Sequence, residues 1–327
     1  LRGRGVPSLE AFLDAHDVDL RYVAGPRYIG PPLEEGCDLW GVKRRRVVVP
    51  TPYGSETYSE VEHSPLEEAE SVEEVLAYPR WPSPDWFDYS PVAESARRIR
   101  EGGRVAVFMG DRLNRVAQLK PAMYLRGVER ILLDLLLAPE IARAIFERIR
   151  TFYLEYARRV FESAAGCLDI VCTGDDFGSQ QGPLLSPQMW ADFLGDGFRA
   201  YIDLAHQFGL KVMHHTCGGV EPLIGRMIEC GLDVLQSLQP EARGMDPSAL
   251  KEKYGDRLAF HGGVSIQKTM PYGTPDEVRR EVERLAETLG DGGGYVFCTA
   301  HNVQADTPME NVDALFDAYR RHGLYRR

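Results

Sequence analysis

No stretch of this 327-residue chain is apolar over the roughly 18 residues that a membrane span needs, and no secretory leader is visible. Excess positive charge is also lacking. The net charge is −11, the wrong sign for a general binder of nucleic-acid phosphates. The basic clusters Lys43–Arg46 and Arg97, Arg98, Arg100 and Arg104 read as solvated faces. No G-x-G-x-x-G fingerprint follows a first strand and no Walker A loop occurs, so the open nucleotide-binding sheets are disfavoured. Cysteine is sparse and scattered: Cys37, Cys167, Cys172, Cys217, Cys230 and Cys298 do not form a disulfide framework, and a reducing cytoplasm is the expected location.

What is present is an alternation. After a short helix at 8–16 and a strand at 19–24, residues 37–58 carry β-rich runs that predict a hairpin excursion. A short helix at 64–77 and a Pro- and Trp-rich loop follow. From Pro91 onward, helices alternate with short apolar strands at 104–110, 168–173, 211–215, 232–238, 258–262 and 295–299. Helices are expected over 92–100, 122–137, 139–165, 186–208, 221–230, 247–254, 275–289 and 309–321. The pattern implies a parallel sheet. It predicts an α/β chain folded as one (β/α)8 TIM-barrel domain over 1–327, with the hairpin outside it. Seven strands are legible, and the chain begins at Leu1 rather than Met, so the eighth is expected upstream or in a misread element.

The chemistry concentrates in KVMHHTCGGV, Lys211–Val220. His215 and Cys217 are two apart, so on an extended strand they face the same side. With Cys298, at the end of another strand, they make a His, Cys, Cys set of the kind that holds zinc and leaves one position open. Buried free cysteines are also common as packing, and Cys37, Cys167, Cys172 and Cys230 are read that way. In a barrel, all strand ends gather at one mouth. That brings Asp175 and Asp176, His215 and Cys217, Gln236, His261, Cys298 and His301 toward one another. The two aspartates are the catalytic candidates. Neighbours on a strand end point opposite ways, so only one should face the site; the plainer alternative is that one caps the following turn and the other is solvated. Gln180, Gln236, His261, His301 and Asn302 are the candidate substrate contacts, the last two also placed to orient metal ligands. His214 should pack on the far side of its strand. Glu221 is better read as a helix-start carboxylate than as a fourth ligand.

Four segments carry a resemblance: YLRG at 124–127, GDDFGSQQGPLLSP at 174–187, HHTCGG at 214–219 and CTAHNVQADTPMENV at 298–312. With them the chain resembles the uroporphyrinogen decarboxylase superfamily, most closely its cobalamin-dependent methyltransferase branch. The resemblance implies a zinc on His215, Cys217 and Cys298. It also implies a corrinoid delivered by a separate carrier protein, and methyl transfer between the corrinoid and a small substrate: a methyl ether, methanol or a thiol. The GDDFGSQ segment resembles that of O-demethylating enzymes. Neither FMRQAGR nor the FSDI-type segment of the decarboxylases proper occurs. Two other readings follow from the same residues. One is a metal-free decarboxylase whose basic mouth would draw on Arg21 and Arg27. The other is a non-catalytic barrel that binds a corrinoid or its carrier, with the cysteines only in the core.

Overall fold

A computed structural model describes residues 7–109, 116–164 and 166–322. Seven parallel strands form one sheet: β1 (Leu20–Tyr22), β2 (Val105–Phe108), β3 (Ile170–Gly174), β4 (Lys211–His215), β5 (Val234–Leu238), β6 (Ala259–Val264) and β7 (Tyr295–Thr299). They pair in sequence order, each with the next. Helices connect them, as parallel pairing requires.

The sheet curls. The helix that precedes β1, Leu9–Ala15, packs against Met309–His322, the helix that follows β7 at the opposite edge. Phe12 meets Phe316 edge-on at 5.6 Å and His16 stacks on the same ring at 4.0 Å. Side chains from six strands fill the concave side: Leu20, Val105, Val107, Ile170, Cys172, Met213, Val234 and Ala259. The convex side packs on helices. The longest, Pro139–Ser163, turns Ile141, Ile145, Ile149, Phe152, Tyr156 and Val160 inward at helical spacing. Each fully buried aliphatic or aromatic side chain contributes about 1.5–3 kcal/mol. The result is a TIM-barrel-like α/β fold, with seven strands among the described residues where eight were expected.

The predicted hairpin exists but is shifted along the chain from its sequence cue at 37–58. Lys43–Thr51 pairs with Gly54–His63, and most residues of both strands are exposed. Its turn end is tied to the segment after β7: Thr51 Oγ1 donates to the Ala305 carbonyl at 3.0 Å, and the Ala305 N–H donates to Glu56 at 2.7 Å. The ribbon thus stands beside the strand-end mouth.

Two predicted helices differ from their expected extents. The helix expected over 64–77 covers only Val72–Ala77. The buried Arg126 guanidinium takes the carbonyls of Leu66, Glu67 and Ala69 at 2.5–3.1 Å and pairs with Asp134 at 2.7 Å. Those carbonyls are therefore turned away from helical partners. Gly127, at φ +88°, then splits the stretch expected over 122–137 into Leu119–Arg126 and Val128–Leu137.

Candidate metal centre at the strand ends

Strand register sets the floor of the mouth. His215 on β4 pairs with Gly174 on β3 and Gln236 on β5, and Gln236 pairs with His261 on β6. Cross-strand partners share a face, so His215, Gln236 and His261 all point to the concave side. Gly263 on β6 pairs with Cys298 on β7, one layer nearer the rim.

His215 is oriented by its neighbour. Its Nδ1 lies 3.2 Å from the Gln236 amide oxygen, which also receives the Cys172 thiol at 3.6 Å. An N–H at Nδ1 leaves the Nε2 lone pair facing the mouth. There it meets Cys217 Sγ at 3.5 Å and an Asp176 oxygen at 3.6 Å. His301 comes from the loop after β7, its ring 5.5 Å from that of His215. One ligating atom each from His215, Cys217 and His301 lie within 4.8 Å of one another. Cys298 is outside that group: its Sγ lies 4.0 Å from the Thr299 hydroxyl. The set brought together in this conformation is therefore His, Cys, His. The sequence reading had given His301 an orienting or substrate role and Cys298 the third ligand. Imidazole nitrogen and cysteine sulfur at this spacing fit zinc by ligand chemistry.

The glycines after Cys217 have a steric cause. Gly218 has φ +83°, and a Cβ there would run into the Gly178 backbone. A Cβ on Gly178 would lie 2.8 Å from the Cys217 carbonyl oxygen. The two loops touch backbone to backbone, and the Gly219 N–H donates to the Ser179 carbonyl at 2.8 Å. This contact sets where Cys217 sits.

The paired aspartates divide as their adjacency predicts, but Asp175 is the one turned from the mouth. It is buried, and its carboxylate accepts N–H bonds from Gln118, Leu119 and Lys120 at 2.6–2.9 Å, at the start of helix Leu119–Arg126. Burial pushes its pKa up to about 6, against the opposing pull of those three donors. Its role in this structure is to hold a helix N-terminus rather than to meet substrate. Asp176 faces the mouth. One oxygen accepts the Cys217 N–H at 3.1 Å and the other meets the Lys120 ammonium at 2.5 Å. Burial would raise its pKa; Lys120, His215 and the Cys217 N–H outweigh that and hold it well below the usual carboxylate range. Burial and the Asp176 charge push the Cys217 thiol up to about 11. Lys120 was not picked out in the sequence. A single lysine at a helix start has no spacing signature, and only the fold brings it to Asp176.

The other candidates scatter. His261 is buried on the shared face, its Nδ1 has no hydrogen-bond partner, and desolvation lowers its pKa to about 4. Gln180 is exposed at the tip of a small hairpin, with its carbonyl taken by the Arg243 N–H at 3.0 Å. Asn302 is exposed. His214 packs on the convex side as expected, 2.6 Å from the Thr173 hydroxyl and stacked on Phe177. Glu221 begins its helix and is held by Lys253 at 2.5 Å and Tyr254 at 2.8 Å. Arg21 is buried against Glu10 and Asp14, each at 3.0 Å, and Arg27 pairs with Asp88 at 2.6 Å. Among the described residues, which include all six cysteines, none is disulfide-bonded. No described helix is long and apolar enough to cross a membrane.

Comparison with known proteins gives one family. The family model described as uroporphyrinogen decarboxylase (URO-D) matches residues 51–322. A uroporphyrinogen decarboxylase from Coxiella burnetii is 23% identical over 192 residues, covering 57% of this chain and 49% of that protein. One from Psychromonas ingrahamii is 34% identical over 74 residues, covering 23% of this chain and 20% of its own. The chain thus spans about half the length, or less, of these curated relatives. Among solved structures, a methyltransferase from Methanosarcina mazei superposes with a TM-score of 0.63 at 19% identity, covering 96% of this chain and 84% of that one. At that identity the likeness concerns the fold.

Proposed function

Since the chain belongs to the uroporphyrinogen decarboxylase family, we propose that it is an enzyme of that family's methyl-transferring kind. Its zinc would sit on His215 and Cys217, with a third ligand from the segment after β7. The observation that carries this is the meeting of His215, Cys217 and His301 ligand atoms within 4.8 Å at the strand-end mouth. Geometry favours His301 as the third ligand. Cys298 is the second reading, favoured by its register on the concave face opposite Gly263.

The substrate proposed is a small methyl ether, methanol or thiol, with the corrinoid brought by a carrier protein. Zinc, when bound, would supply Lewis acidity toward a methyl-bearing oxygen or hold a thiol acceptor as thiolate. The protein's own groups do the rest. Gln236 fixes the His215 ring so that Nε2 faces the site. Cys217, its pKa pushed up to about 11, holds its proton at neutral pH and would release it to solvent on ligating a metal. Lys120 neutralises Asp176 beside the two ligands. His261 and Gln236 line a floor that is uncharged at neutral pH, suited to a neutral substrate.

The metal-free decarboxylase reading is less favoured, because Arg21 is buried against Glu10 and Asp14. The test is an anaerobic assay of purified protein in two arms, reduced free corrinoid with a panel of methyl ethers and methanol, and methylated free corrinoid with a panel of thiols, followed by corrinoid absorbance. Metal-dependent methylation or demethylation of the corrinoid is expected. Porphyrinogen decarboxylation by metal-free protein, with no corrinoid change, would overturn the reading.

A further inference from the structure

Ser237 is one of two non-glycine residues with positive φ among the described residues, at +75°. It sits inside β5, buried, at the point where pairing with β6 slips: Gln236 pairs with His261, but the next partner of Gly262 is Leu238. Ser237 is thus the extra residue of a β-bulge, a position whose left-handed backbone ordinarily falls to glycine. Strain of this kind persists where the surroundings hold it, and it gathers at functional sites.

The bulge has a local effect that a regular strand could not produce. Neighbours on a strand point to opposite faces. Here Gln236 reaches His215 Nδ1, and the adjacent Ser237 also reaches the mouth, its Oγ 3.7 Å from Cys217 Sγ. The same hydroxyl donates to the Ala300 carbonyl at 2.7 Å, one residue before His301. Its single hydrogen is committed to Ala300, so toward Cys217 it presents an acceptor. One strained serine therefore touches the sulfur of one candidate ligand and pins the segment that carries another.

We propose that Ser237 is a positioning residue of the metal centre: its bulge and hydroxyl set the separation of Cys217 from the Ala300–His301 segment. This rests on the metal reading above. A serine is used where glycine would relieve the backbone because the hydroxyl spans the two segments.

The test uses Ser237→Gly and Ser237→Ala with Co(II) alone as the probe. Ser237→Gly suits the left-handed backbone and loses the whole side chain, Cβ and hydroxyl together. Ser237→Ala keeps the strain. Affinity is read by chelator competition, coordination by the thiolate-to-cobalt absorption band, and folding by urea denaturation. The expected result is Co(II) binding weakened about 10- to 100-fold in both variants with a shifted or weakened charge-transfer band. The urea midpoint of Ser237→Gly should equal or exceed that of wild type. Wild-type affinity and spectrum in both variants would overturn the positioning role while leaving the metal reading intact. Failure of the wild type itself to bind Co(II) would remove the metal reading, and this inference with it.

Discussion

Asp175 shows how a residue can look catalytic and be committed elsewhere. Its carboxylate satisfies three backbone N–H groups at a helix start, donors that a helix leaves without internal partners. Asparagine offers one acceptor oxygen where the carboxylate offers two, and it puts an NH2 among donors. Asp175→Asn is therefore expected to destabilise the fold by about 1–3 kcal/mol, measured as a lower urea midpoint. Nothing in DD itself separates the two. Adjacency told that they diverge, but not which one turns inward, because that depends on Lys120 and its helix 55 residues away in sequence.

His261 makes a pH prediction at the same scale. Its folded pKa is lowered to about 4 by burial, against about 6.5 for an unperturbed imidazole. A depressed pKa means the unfolded chain takes up the proton first. The stability tied to neutral His261 is complete above about pH 6.5 and is lost as pH falls toward 4, by roughly 3 kcal/mol over the whole window. Asp175, with its pKa raised, slopes the opposite way: its contribution is full below its unfolded value and is lost as pH rises through about 6. Comparing wild type with His261→Asn cancels that background. Urea midpoints between pH 7 and 4.5 should fall less in the variant. Parallel profiles would show that His261 is not held neutral by the fold.

At the scale of elements, the parallel strands were legible because each is a short apolar run between amphipathic helices. Their ends fall within a few residues of the expected ones, and β4 and β7 coincide with them. What was not legible is non-local. Arg126 unwinds the turn at 64–71 from a distance of about sixty residues. A π-helical segment, Ala191–Gly195, interrupts the helix expected over 186–208. The bulge at Ser237 leaves no local trace in VLQSL. The reason for the glycines of HHTCGG is equally non-local: the Gly178 backbone of the neighbouring loop. Gly218→Ala adds a Cβ with no room at a left-handed φ, so it should cost more than about 1 kcal/mol. It should also weaken metal binding, since the loop that moves carries Cys217. Metal affinity by chelator competition, read beside the urea midpoint, checks both. Unchanged values would mean that the loop contact does not set the site.

Across the whole molecule, the curled sheet does what spacing alone could not. It gathers the ends of β4, β5 and β7, separated by tens of residues, around one small volume. The exposed hairpin 43–63 adds a wall beside that volume through Ala305. That His215 and Cys217 lie side by side was legible in the sequence, since an H-x-C pair at a strand end needs no tertiary information. Sequence alone gives Cys298 as the third ligand, whereas His301, three residues on across a loop, is the one brought within 4.8 Å of the pair, because that placement depends on where the loop is held.

The most direct test of this account is the metal content of protein purified without added metal, by elemental analysis of wild type and of Cys217→Ser, His301→Ala and Cys298→Ser variants confirmed to be folded. About one zinc per wild-type chain is expected, lost from Cys217→Ser and His301→Ala and retained by Cys298→Ser. Loss from Cys298→Ser instead of His301→Ala would move the third ligand to Cys298 and contradict the geometry drawn here. A folded wild type that contains no zinc and takes up none when it is supplied would contradict the metal centre itself.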